Sequence, residues 1–179
     1  MKRRIARGFT LIELLISIAI AGLLIVLALP NYAVWLADSE VRAGAESIVS
    51  GLRFAMAEAV KRNAPVEFVL DLTTGTGGWV AQNIGGTEQY QAAGLAEGAR
   101  RVELTVVPAG MRTVTFSGLG LIVSPNDDAT APFETIEFKI SGVSSRTLRV
   151  LVGGTRTGIK ICDTAFPATD PKGCPATGG

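Results

Sequence analysis

The sequence predicts an α+β protein, in which one long N-terminal α-helix packs on an antiparallel β-sheet domain. Three observations carry that expectation. An apolar run, "FTLIELLISIAIAGLLIVLAL", extends from Phe9 to Leu29 with Glu13 as its one ionisable side chain. From Val41 to Ala59, apolar residues recur at three- and four-residue steps. Beyond Pro65 the chain changes to short β-branched segments separated by glycine, proline and Asn-Asp punctuation.

The first half of the helix has the dimensions of a membrane span. At about 1.5 Å per residue the run from Phe9 to Leu29 would be roughly 31 Å long, enough to cross the hydrocarbon core. Lys2, Arg3, Arg4 and Arg7 precede it with no accompanying acid. Such a cluster keeps the start of the chain cytoplasmic and directs the remainder outward. A secretory signal peptide is the rival reading, but its apolar stretch is only about 7–15 residues. It also has no use for Glu13, because a carboxylate in a membrane helix costs roughly 2.5–3.5 kcal/mol. A retained anchor is expected. Ser17, Ala19, Ala21, Gly22 and Ala28 supply small surfaces for close helix packing. Pro30 removes one backbone hydrogen bond and should bend or loosen the helix.

The second half is amphipathic. Val41, Ala45, Ile48, Leu52, Ala55 or Met56, and Ala59 form one face, while Glu40, Arg42, Glu46, Arg53, Glu58, Lys61 and Arg62 take other positions. That apolar face needs a sheet to cover it. Pro65 disfavours helical geometry at Ala64, so the helix should end near Arg62 and Asn63.

Strands are expected in "VEFVL", "GWVAQN", "RVELTVV", "RTVTFSG", "LGLIV", "TIEFKIS", "RTLRVLV" and "GIKIC", the last two joined as a terminal hairpin. Gly85 to Ala99 lacks periodicity and reads as an exposed loop. No internal repeat or long linker divides the chain, and 179 residues suffice for one domain with a core.

Composition and residue inventory narrow the chemistry. Hydrophobic residues make up 47% of the chain, with the excess concentrated in its first 30 residues. The net charge is +1, so bulk charge does not single out nucleic acid as a partner. With no histidine, Ser-His-Asp and Cys-His arrangements are excluded. Glycines at Gly75–Gly78 and Gly118–Gly120 lack the lysine or spacing of a phosphate loop. Asp127 and Asp128 lack the ligand spacing of a calcium loop and read as a solvated turn. Neither catalysis nor a cofactor is expected. Cys162 and Cys174, an isolated pair in an exported chain, are expected to form a disulfide worth about 3 kcal/mol. A metal site is the rival, and it needs more ligands.

"GFTLIELLISIAIAGLL" resembles the type IV pilin signature. The resemblance implies that residues 1–8 are a leader that prepilin peptidase removes after Gly8. Phe9 would then be N-methylated, residues 9–30 would form the membrane and filament-core helix, and residues 31–179 the periplasmic pilin-like domain. Glu13 matches the family's glutamate, which is thought to pair with the α-amino group of a neighbouring subunit's first residue. Opposite charges attract strongly at low dielectric, and pairing relieves two groups that are costly alone. Pilins often carry a proline where Pro30 stands, and the helix melts there in filaments.

"LRFAMAEAVKRNAPVEFVL", "GGWVAQN" and "TVTFSGLGLIV" are similar to the GspH/FimT group of minor pilins and pseudopilins. Many members have a cysteine soon after the first strand, where this chain has "LDLTTG". Some FimT-type pilins capture DNA through a Gly-Arg-x-Arg motif before a C-terminal cysteine. Aligned on Cys162, this chain has Thr157 in place of the glycine, with Gly158 and Lys160 at the arginine positions. Arg146, Arg149, Arg156, Lys160 and Lys172 remain candidate DNA contacts, with Asp163 and Asp170 nearby. DNA is not the favoured partner.

The resemblance implies a minor pilin inserted once in the inner membrane, which then enters a pilus or pseudopilus at or near its tip. Its partners would be prepilin peptidase, other major and minor pilins or pseudopilins, and the inner-membrane assembly platform. A type II secretion pseudopilin and a DNA-uptake pilin are the alternatives.

Overall fold

Residues 9–72, 77–95, 98–153 and 158–175 are described in the computed structural model. The helix α1 runs from Leu11 to Arg62. Thr10 caps its start, the Thr10 hydroxyl accepting the Glu13 N–H at 3.3 Å. The helix continues without interruption through Pro30. At the far end Asn63 takes the left-handed conformation with φ 49°, and the Ala64 N–H donates to the Ala59 carbonyl at 3.2 Å. The helix therefore stops where Pro65 predicts.

Among the described residues nine strands follow: β1 (Val66–Asp71), β2 (Gly78–Asn83), β3 (Gln89–Gly94), β4 (Glu103–Val107), β5 (Thr113–Phe116), β6 (Ile122–Val123), β7 (Thr135–Lys139), β8 (Leu148–Leu151) and β9 (Lys160–Asp163). They form two sheets, ordered β3-β2-β1-β5-β6 and β4-β7-β8-β9. Every strand pairing within them is antiparallel.

Strand β3 corrects the expected loop between Gly85 and Ala99. It is an edge strand, and most of its residues remain exposed, so burial imposes no alternating pattern on "QYQAAG". The terminal hairpin pairs Leu148 with Asp163 through to Leu151 with Lys160. Residues 154–157, which join its arms, lie outside the described residues.

The second half of α1 is a spine shared by both sheets, touching β1, β2, β3 and β5 of one and β7, β8 and β9 of the other. Ala37, Val41, Ala45, Ile48, Leu52, Ala55 and Ala59 are fully buried along it. Ala55 occupies the core position that periodicity left open between Ala55 and Met56, and Met56 is half-buried. Across from them lie Phe68, Phe116, Phe133, Phe138 and Trp79. Gly51 permits the closest approach, because a Cβ there would lie 2.6 Å from the Trp79 ring.

Candidate functional site

Thr10 and Glu13 stand at the N-cap and third helical positions, a spacing that satisfies free N–H groups at a helix start. The Thr10 hydroxyl also approaches Glu13 Oε2 at 3.5 Å. Ser17 turns its hydroxyl back onto the Glu13 carbonyl at 2.7 Å and makes no bond to the carboxylate. Glu13 therefore meets only a neutral neighbour within its own chain among the described residues. A carboxylate there also favours the positive end of the helix dipole. Phe9 precedes the cap and is exposed. Gly8 lies outside the described residues.

Every large apolar side chain from Phe9 to Leu29 is exposed in the single chain. The helix is long and apolar enough to cross a membrane, and none of its most apolar window is buried. A Cβ added at Gly22 would meet nothing within 4 Å, so a neighbouring helix has room to approach there.

Just beyond Pro30, Tyr32 and Trp35 stack with ring centroids 5.8 Å apart, both well exposed. Sequence reasoning passed over this pair, although aromatic residues at the end of an apolar run mark a membrane–water interface. Burial begins two residues later at Ala37. Two ion pairs hold this part of the helix to the sheet domain, Asp38 with Arg146 at 3.2 Å and Glu40 with Arg101 at 3.0 Å.

At the other end of α1, Glu58 receives Arg62 at 2.6 Å and Lys61 at 3.2 Å. The Arg62 hydrogen bond, reinforced by Lys61, holds the Glu58 carboxyl below the usual range. Arg62 also lies 3.9 Å from the centre of the Tyr90 ring. Glu67 behaves in the opposite way. Burial raises its pKa and the nearby charges of Asp128 and Asp127 add to that, against a hydrogen bond from Gln82. Asp128 accepts both the N–H and hydroxyl of Thr130, which lowers its pKa. This is the geometry of a turn. Among the described residues no group of three His, Cys, Asp or Glu is placed to hold a metal.

Cys162 and Cys174 form a disulfide, as the sequence predicts. The candidate DNA contacts are dispersed in their roles. Arg146 pairs with Asp38, and Arg149 with Glu137 at 2.9 Å. Lys160 and Lys172 have no ion-pair partner among the described residues, and Arg156 lies outside them.

An exposed apolar half-helix carrying a sheet domain defines a membrane-anchored, pilin-like class of protein. The family model for type II transport protein GspH matches residues 44–155, and the prokaryotic N-terminal methylation motif matches residues 3–29. The chain belongs to the GspH family, of the GspH/FimT pilin and pseudopilin type. No solved structure matches it.

Proposed function

We propose that this protein is a minor pilin that joins or initiates a type IV pilus through its N-terminal helix. Prepilin peptidase cuts after Gly8, Phe9 is methylated, and residues 9–30 move from bilayer to filament core. The domain from residue 31 onward stays on the periplasmic side, and the subunit comes to rest at or near the tip. The observation that carries this reading is an apolar helix exposed along its whole first half, with one acid a turn beyond Phe9. Such a surface needs either lipid or other helices around it. In the filament Glu13 exchanges an isolated site for the amine of an adjoining Phe9.

A second reading, a minor pseudopilin of type II secretion, draws support from the description of the matching family. Both use the same maturation and the same helix. Mass spectrometry of the chain recovered from sheared filaments tests the common part. A chain beginning at N-methylated Phe9 is expected, and one still carrying Met1–Gly8 contradicts the reading. Deletion of the gene then separates the two machines. Loss of surface filaments supports the pilus, and loss of exported enzymes with filaments intact supports secretion.

A further inference from the structure

The groove between α1 and β9 is not used by assembly through the N-terminal half-helix. Strand β9 is the outer strand of its sheet. The Asp163 N–H points away from β8 and donates to the Lys172 carbonyl at 2.8 Å, while the Thr164 N–H turns back to Thr147 at 3.1 Å. Backbone groups alternate along a strand, so the Ile161 N–H and carbonyl also point outward. Among the described residues nothing bonds to them. Gly173 bridges the edge at Asp163 alone. An edge open among the described residues is a template for another strand.

The walls indicate what such a strand would carry. Glu46, Val49, Ser50 and Arg53 of α1 face Ile159–Ile161 across an opening of about 540 Å³. A second opening of about 530 Å³ continues from it, sharing Glu46 and Ile161 and reaching Phe166 and Lys172. Ile161 lies opposite the fully buried Val150, so its side chain is on the helix side and that of Lys160 is on the other. Arg53, Lys160 and Lys172 have no ion-pair partner among the described residues. Glu46 is neutralised by Arg42 at 2.8 Å, and Asp163 accepts the Ala165 N–H at 2.9 Å. Cations without an ion-pair partner among the described residues therefore lie on both faces of this edge, with Lys172 over the Phe166 ring at 6.0 Å.

We propose that this groove takes an extended acidic segment of a neighbouring subunit as an added strand on β9. The added backbone bonds to Ile161, its apolar side chains meet Ile161 and Val49 on the helix side, and its carboxylates meet Lys160 on the opposite face. A free strand edge beside Ile161 and Val49 suits a peptide backbone rather than a nucleic acid. The choice of a subunit as the source rests on the assembly reading. Binding, however, is read on the isolated chain, so the two ideas fail separately.

The test uses the full chain in detergent and a fluorescent synthetic peptide alternating valine and glutamate, followed by anisotropy at physiological salt. Saturable binding is expected, weakened at least about tenfold in the Lys160→Glu variant with its melting temperature unchanged. N-methylation of alternate peptide amides should abolish binding on one edge of the peptide and spare it on the other. A valine–lysine peptide should not bind. The proposal is overturned if the acidic peptide does not bind, if methylation of neither edge weakens binding, or if duplex DNA binds and the acidic peptide does not. Peptide binding by a chain that never enters filaments would support the groove and remove the assembly reading.

Discussion

Asp38 holds Arg146 at two points. One carboxylate oxygen accepts the Arg146 backbone N–H at 2.8 Å, and the other lies 3.2 Å from the guanidinium Nε. The pair ties the first buried turn of α1 to the loop before β8, 108 residues along the chain. Only part of this contact depends on the arginine side chain. Asp38→Ala is therefore expected to cost about 1–2 kcal/mol, and Arg146→Ala under about 1 kcal/mol, because the backbone bond survives. Denaturant unfolding of both variants checks this, and equal losses would contradict the two-point contact.

Gly51 sets the distance between helix and sheet. A Cβ there would stand 2.6 Å from Trp79 Cδ2 and 2.8 Å from Phe68 Cε2. These rings stack with centroids 5.6 Å apart, and the indole N–H is held by the Ser47 hydroxyl at 3.1 Å, so neither yields freely. Gly51→Ala should cost about 1–3 kcal/mol by overpacking. Thermal unfolding measures the loss, and near-ultraviolet circular dichroism should show the disturbed Trp79. An unchanged midpoint would mean that the helix can move outward without penalty.

Two carboxylates give opposite pH signatures. Glu67 holds its proton more tightly in the folded chain than in the unfolded one, chiefly through burial. Stability from this group thus falls as pH rises from the unfolded carboxylate range through the raised folded value, and stays lower above it. Glu67→Gln should stabilise the protein at neutral pH, with the gain fading in acid. Glu58 is held lower by Arg62 and Lys61, so its contribution is present above the unfolded value and lost as pH falls through the depressed folded one. Glu58→Gln should destabilise at neutral pH and converge with the parent in acid. Unfolding curves across the acid range test both, and parallel pH profiles for the two variants would contradict the assignments.

Tyr32 and Trp35 stand where lipid headgroups meet water if residues 9–30 span the bilayer. Reconstitution in vesicles carrying brominated lipids should quench part of the tryptophan fluorescence. Trp35→Phe should abolish that quenching, because Trp79, the other tryptophan, is buried in the domain. Persistent quenching in Trp35→Phe would place the membrane surface elsewhere.

The elements legible in the sequence are those set by local chemistry. Apolar spacing from Val41 to Ala59 is a helix face whatever lies opposite it, and Pro65 with Asn63 ends the helix through backbone constraints alone. "GWVAQN" became β2 with its predicted bounds. Strand β3 was hidden because an exposed edge imposes no hydrophobic pattern on Gln89–Gly94. The division into two sheets depends on distant pairings such as Val107 with Thr135, which no short window contains. At the candidate site, the spacing of Glu13 and Pro30 is local to one helix, which runs unbroken from Leu11 to Arg62, while their roles remain proposals. The Asp38–Arg146 contact and the groove beside Ile161 arise only when β8 and β9 fold back against α1. The same fold engages Arg146 and Arg149 in ion pairs that their positive charge alone does not foretell.

The most direct measurement is the share of Glu13→Ala protein that passes from membrane to sheared filaments, relative to the parent chain expressed at the same level. Pairing of this carboxylate with an adjoining Phe9 amine predicts full membrane insertion and incorporation reduced by about tenfold or more. Undiminished incorporation of Glu13→Ala would contradict it.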